Sequence, residues 1–368
     1  MTCSCRSRRN APAATRDPIT SRSTESPMPD LAATAEPYQP AVDLPPIPGL
    51  LFRHLRAPAD YRAMNSVANA SRAHEGMAYF TTEADLANTY DHLSNCDPSR
   101  DVVLAEIADR LVGYGRTSWS REHGGDLVFE AICYVDPECL RQGIGRALLM
   151  TLERRASEIG NTMPIEGARF LQAESSDSSA GRVALLLASG YSPIRHGFLM
   201  VRPTLEDQDD APLPAGLQIR EVRPEHMRVI WEADQEAFRD HWGSGQGTEE
   251  DYLEFLNDPT QGDTSLWRIA WDGQEVAGQV RSFINEEENR RFGRTRGWVE
   301  NISVGRRWRH RGLARALMAA SFPLLRARGM TEGALSVDAQ NPTGALAVYE
   351  SVGFLPVSSE AVYRKPLP

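Results

Sequence analysis

With 368 residues, 41% hydrophobic and 24% charged, the chain has the composition of a soluble protein and the length for two ordinary domains. No stretch reaches the roughly 20 uninterrupted apolar residues that a membrane-crossing helix needs, so no membrane partner is expected. The net charge of −10 argues against nucleic acid, which is held by clustered Lys and Arg, and is compatible with a cationic substrate.

Residues 1–48 are dominated by Pro, Ser, Thr, Ala and Arg, and carry no periodic apolar face. They are expected to form a disordered N-terminal extension, closing on Leu44-Pro45-Pro46-Ile47-Pro48-Gly49. No apolar run follows Arg6, Arg8 and Arg9, so no secretory signal is read there, and Met28 is an alternative start. The five cysteines (Cys3, Cys5, Cys96, Cys133 and Cys139) contain no CxxC pair. Neither a disulfide framework nor a zinc site is expected, and a cytoplasmic location fits.

A first domain is assigned to 49–205. An acidic, proline-containing run at 206–214 reads as a linker, and a second domain takes 215–368. The two segments repeat one pattern. Ile132-Cys133-Tyr134-Val135 precedes Arg141-Gln142-Gly143-Ile144-Gly145-Arg146, and Ile302-Ser303-Val304 precedes Arg311-Gly312-Leu313-Ala314-Arg315 at the same offset. Each block leads into a helical pattern, a strand, and a second helix ending at Gly190-Tyr191 or Gly353-Phe354.

In the second copy, Leu217–Val222 alternates as a strand and Met227–Phe238 has helical spacing. Leu266–Trp271 and Glu275–Phe283 form a hairpin around Asp272-Gly273. Trp298–Val304 is a strand, Gly312–Arg328 a helix, Gly333–Val337 a strand and Thr343–Ser351 a helix. The order βαβββαβα predicts an α/β (α+β) fold with a mixed sheet, present twice in tandem.

The chemistry is expected where the strand Val299–Val304 passes through Arg306-Arg307-Trp308-Arg309-His310-Arg311-Gly312 into a helix. A helix N-terminus presents unpaired N–H groups and a positive dipole end, and Gly312 and Ala314 allow close approach of an anion. An ordinary strand-to-helix turn with solvated arginines has the same composition. No HExxH metal motif and no G-x-S-x-G elbow occurs, and no metal is expected.

Arg309-His310-Arg311-Gly312-Leu313-Ala314 resembles the Q/R-x-x-G-x-G/A pyrophosphate loop of the GCN5-related N-acetyltransferase (GNAT) superfamily. Val337-Asp338-Ala339-Gln340-Asn341 through Tyr349 to Gly353-Phe354 resembles its following segment. The resemblance covers most of 213–368 and implies acetyl-CoA as co-substrate and direct attack by a small-molecule amine. It implies that Ile302, Ser303 and Val304 hold the thioester and pantetheine arm. Arg309, His310, Arg311, Gly312, Leu313, Ala314 and Arg315 would cradle the pyrophosphate, with Asn341 also on the donor. Tyr349 would protonate the leaving thiolate, a natural task for a positioned acid; a core aromatic is the other reading of it.

Glu300 is a candidate general base, or else a structural carboxylate; strict alternation would put it on one face with Ile302 and Val304. Asp240–Gly247, flexible by composition, is expected to cover the acceptor site; the charge run Asn285–Arg291 could attract an amine, but is read as a solvated loop.

The first copy departs from the pattern, with Leu140 where Gln or Arg is wanted and Leu186 in the place of Tyr349. Val135, Arg141, Gln142, Gly143, Ile144, Gly145 and Arg146 therefore form either a second acetyl-CoA site or a brace for the second domain. The expectation is an N-acetyltransferase of the tandem type with one active domain; a non-catalytic acyl-CoA-binding protein is the alternative.

Overall fold

Apolar alternation from Leu50 starts β1 (Leu50–His54), followed by α1 (Tyr61–His74) and α2 (Glu83–Asp91). Thr82 begins α2 with a reciprocal cap, its side chain accepting the Asp85 N–H while Asp85 accepts the Thr82 N–H. A short α3 (Pro98–Asp101) leads into the antiparallel strands β2 (Val102–Ile107), β3 (Arg110–Arg121) and β4 (Leu127–Val135). Then come α4 (Ile144–Asn161), β5 (Arg169–Ser176), α5 (Ala180–Ala188) and β6 (Ser192–Arg202). A computed structural model describes residues 42–164, 166–206, 211–341 and 344–367. Most of the expected extension, the centre of the linker, and Pro342-Thr343 lie outside them.

The succession then repeats as β7 (Gln218–Arg220), α6 (Met227–Phe238), α7 (Glu249–Leu256), β8 (Trp267–Asp272) and β9 (Glu275–Phe283). It continues with α8 (Glu286–Phe292), β10 (Arg296–Val304), α9 (Leu313–Ala327), β11 (Glu332–Asp338), α10 (Ala345–Ser351) and β12 (Leu355–Pro366). The acidic run at 286–288 is therefore helical, contrary to the solvated loop expected. Asn285 caps the helix, and Glu288 is fully buried against Arg294, the Trp298 indole N–H and the Phe80 backbone N–H.

The strands form one sheet in the order β1-β2-β3-β4-β5-β12-β6-β11-β10-β9-β8-β7. β4 with β5 and β10 with β11 are the parallel pairs, as strands joined by a crossover helix must be. The last strand of each half is exchanged. β6 pairs with β11, and β12 lies between β5 and β6. The cores are correspondingly mixed: Ala361, Tyr363 and Leu367 pack with Leu127, Phe129 and Leu171, while Met200 and Leu205 join Leu317, Leu335 and Phe354. Leu44 and Ile47, at the end of the stretch read as an extension, pack on the cluster around Phe52 and Ile144.

Candidate functional site

The parallel pairing of β10 with β11 runs only from Arg296 opposite Glu332 to Trp298 opposite Ala334. Beyond it a β-bulge bends β10. Glu300 faces Arg281 and Ser303 faces Gln279 on β9, with Asn301 at φ 52° as the extra residue. The bulge corrects the alternation expected from the sequence. Directly paired residues share a face, so Glu300 goes with Ser303 rather than with Val304. Ile302 and Val304 pack toward the cluster containing Leu313 and Leu317.

Where the strands part there is a cavity of about 560 Å³. Its lining includes Glu300, Ile302, Ser303, Val304, Arg309, His310, Gly312, Leu313, Ala314, Arg315, Asn341 and Tyr349. Of the donor-binding and catalytic candidates named in the second half, Arg311 alone is absent from that lining. Ser336, Asp338 and His241 line it too; His241 belongs to the segment expected over the acceptor site, whereas no role was read for Ser336 or Asp338. Alternation along the expected strand Gly333–Val337 could have found Ser336 and Asp338, since Ser336 pairs with Leu199 and Asp338 with Gly197 on one face.

One end of the cavity is suited to an anion. His310 (φ 60°) and Gly312 (φ 82°) are both left-handed, a backbone that gathers successive N–H groups into a concavity, and α9 starts at Leu313. A Cβ on Gly312 would meet nothing within 4 Å, so the approach is open. Arg309 itself holds the loop: it donates to the Val304 carbonyl (3.1 Å), the Ala237 carbonyl (2.8 Å) and Asp240 (2.8 Å). Arg306 donates to the same carboxylate (2.7 Å), and the two guanidinium groups keep Asp240 far below the usual carboxylate range.

At the other end, the Ser336 backbone N–H donates to Glu300 (2.8 Å) across the gap between strands. Burial nonetheless pushes the Glu300 carboxyl up to about 7. A group poised near neutrality can take a proton and release it. Tyr349, buried on α10, has its phenol raised further above its ordinary value by burial, and the charge of Glu300 adds to the effect. It therefore keeps its proton at neutral pH. Burial lowers the His241 imidazole, which is neutral there as well.

The segment Asp240–Gly247 is pinned rather than loose. Gly245 bridges Glu122 of the first half, His123 N–H donates to the Ser244 carbonyl (2.9 Å), and Arg195 and Arg364 lie over the Trp242 ring. A Cβ on Gly245 would fall 2.7 Å from the Arg121 carbonyl, so the close approach requires glycine.

The first half keeps the same loop backbone, with Arg141 at φ 64° and Gly143 at φ 90°, but a different surrounding. A Cβ on Gly143 would stand 3.3 Å from Pro45, and one on Gly145 would meet Val135 and Leu185. Val135, Ile144 and Leu186 are core residues, and Gln142 leans on the Glu138 carbonyl. Arg141 and Arg146 are carried with this loop and share no cavity with Tyr349. No group of His, Cys, Asp or Glu among the described residues is arranged to hold a metal, and no described helix is long and apolar enough to cross a membrane.

The acetyltransferase (GNAT) family model matches residues 67–165 and 227–354, once in each half. A mycothiol acetyltransferase of Geodermatophilus obscurus is 28% identical over 314 residues, covering 84% of this chain and 95% of that relative. One of Salinispora arenicola is 32% identical over 271 residues, covering 73% and 82%. Among solved structures, a GCN5-related N-acetyltransferase from Sphaerobacter thermophilus aligns with TM-score 0.62 at 25% identity, over 86% of this chain and 96% of that one. A tandem GNAT protein from the clavulanic acid biosynthesis pathway shares the fold with TM-score 0.60 at 17% identity, over 87% and 99%.

Proposed function

The chain belongs to the acetyltransferase (GNAT) family and is an acyltransferase, and from that premise we propose that its second half moves an acetyl group from acetyl-CoA to the amine of a small molecule. The observation that carries this reading is the convergence of the expected donor and catalytic residues on one cavity at the parting of β10 and β11. The fit for acetyl-CoA rests on the open approach at Gly312 and on the first N–H groups of α9. Acetyl-CoA supplies the thioester that the amine attacks.

In this reading, Ile302, Ser303 and Val304 offer backbone groups that the bulge and the missing β11 partner leave available to the thioester and pantetheine arm. His310, Gly312, Leu313, Ala314 and Arg315 surround the pyrophosphate, Arg309 fixes their loop, and Asn341 closes over the donor. Arg311 lies outside the cavity lining and contributes charge at its rim. Glu300 accepts the amine proton, for which a carboxyl near 7 is well matched. Tyr349 donates its proton to the departing thiolate. No acetyl group is attached to the protein.

The division into modules 49–205 and 215–368 around the 206–214 linker is part of the proposal, with the last strands exchanged. The first module braces the second and does not hold acetyl-CoA, a choice supported by Pro45 over Gly143 and Leu186 in place of the tyrosine. The relatives' name makes the precursor acetylated by mycothiol synthase, the cysteinyl amine of a glucosaminyl-inositol pseudo-disaccharide, the first acceptor to try. The test is release of CoA thiol from acetyl-CoA over a panel of amines that includes this one. Some amine is expected to give turnover, and Tyr349→Phe to slow it roughly 10²-fold or more. Acetyl-CoA binding without turnover on any amine would favour a binding protein instead.

A further inference from the structure

Between the two halves lies a second cavity, of about 290 Å³, lined by Arg116 on β3 and by Tyr90 and Tyr134 of the first half, with Glu254 and Gln261 from the second. Its carboxylates have partners of their own. Glu254 accepts from the Thr89 hydroxyl (2.7 Å), Asp258 from the backbone N–H groups of Thr260 (2.9 Å) and Gln261 (2.7 Å), and Asp85 from the Thr82 N–H (2.7 Å). Glu288 is held by Arg294, Trp298 and Phe80. Its other guanidinium, Arg72, donates to Tyr134 (2.8 Å) and Thr81 (2.9 Å).

Arg116 stands apart. Among the described residues its side chain makes no hydrogen bond and no ion pair, and its Nε is buried without a partner. It lies over the Tyr90 ring at 5.3 Å, which fixes the plane of the guanidinium without satisfying its N–H groups. Glu130, on the adjacent strand, and Glu254 are close enough to act on it through space, but neither reaches it. Other buried guanidinium groups are met by oxygen: Arg53 holds Asp60, Arg155 holds Asp101, Arg281 holds Asp234, and Arg202 donates to the Thr204 carbonyl. Leaving a charge of this kind without a partner is costly, and a planar fork of donors is the natural seat of a carboxylate.

The cavity adjoins the donor site. Gln261, in its wall, accepts from the side chain of Asn301, in the wall of the donor cavity, at 3.0 Å. We propose that Arg116 is a specificity-determining residue that binds a carboxylate on the acceptor, so that the preferred substrate is an amine bearing a carboxylate away from the reacting nitrogen, unlike the carboxylate-free pseudo-disaccharide amine offered as a first trial. The Tyr134 hydroxyl, whose oxygen accepts from Arg72, is a second donor to that group. Because its seat for the distant end of the molecule lies on the first half, neither half can select this acceptor alone. The proposal rests on the acetyl-transfer reading for its substrate, but the anion site can be measured without turnover.

The test compares ω-amino carboxylic acids of increasing length with their carboxamides, in wild type, Arg116→Gln and Arg116→Lys. Acetyl-CoA affinity serves as the folding control. Wild type is expected to favour acid over carboxamide at least tenfold in kcat/KM, with the difference in KM. Arg116→Gln is expected to abolish that preference, and Arg116→Lys to keep part of it. Equal use of acid and carboxamide by wild type, or an unchanged preference in Arg116→Gln, would overturn the proposal. Separately, glutarate is titrated against each protein, followed by tyrosine and tryptophan fluorescence. Saturable binding by wild type that is lost in Arg116→Gln supports the site even if no amine is acetylated, in which case the transfer reading fails and the anion site stands. Absent binding, or binding unaffected by the substitution, sinks the proposal whatever the turnover data give.

Discussion

Glu300→Gln should move activity and stability in opposite directions. Burial carries the Glu300 carboxyl from its ordinary value of 4.5 to about 7, so the folded state holds the proton more tightly than the unfolded chain does. The stabilising contribution is complete below the unfolded value and is lost as pH rises toward 7, because there the unfolded chain ionises freely while the folded one resists. At 1.36 kcal/mol per pH unit the full effect would be roughly 3 kcal/mol. Partial opening of the carboxylate to the cavity screens it, to about 1–2 kcal/mol.

Glutamine mimics the neutral acid and can still accept the Ser336 N–H through its carbonyl oxygen. Urea unfolding of wild type and variant at pH 5 and pH 8 provides the assay. The variant should gain about 1–2 kcal/mol relative to wild type between the two pH values, while acetyl transfer falls roughly 10²-fold or more. A stability difference independent of pH, or one that favours wild type at the higher pH, would refute this account of the carboxylate.

The exchange of β6 and β12 predicts that residues 1–205 and 211–368 expressed separately do not fold, and that co-expression restores a soluble complex, as read by gel filtration and circular dichroism. Gly312→Ala places a Cβ at φ 82° in open space, so a strain of about 1 kcal/mol should appear as weakened acetyl-CoA binding by calorimetry. Gly143→Ala should instead leave that affinity unchanged and lower thermal stability, since its Cβ meets Pro45. Asp234→Ala strands the buried Arg281, which Asp234 holds at 2.9 Å; a loss of about 3–5 kcal/mol in unfolding free energy is expected.

What could be read in the sequence was local. The 272–273 turn, the helix over 227–238 and the glycine after His310-Arg311 are each determined by neighbours in the chain, and they lie where expected. The donor residues were legible for the same reason, since one strand–loop–helix carries most of them. Four features were not. The bulge at Asn301 depends on β9 and on the parting from β11, and it moved Glu300 off the face assigned by alternation. Glu288 resembled a solvated charge until the first half supplied the Phe80 N–H that helps to bury it. The charged groups along the inter-half cavity give no hint in sequence of which are paired; only the fold shows that Glu254 and Asp258 are satisfied and that the Arg116 side chain is not. Strand exchange also escapes local reading, because β12 would fit either half by its alternation alone.

The central claim is direct acetyl transfer in the second half, and one quenched-reaction experiment addresses it most closely. Wild type is mixed with acetyl-CoA and an accepted amine, stopped at successive times, and both the amine and the intact protein are weighed by mass spectrometry. The account predicts an amine heavier by one acetyl group from the first time point, an unmodified protein throughout, and slow product formation in Tyr349→Phe. Acetyl label on the protein before product appears, or undiminished product in the variant, would contradict it.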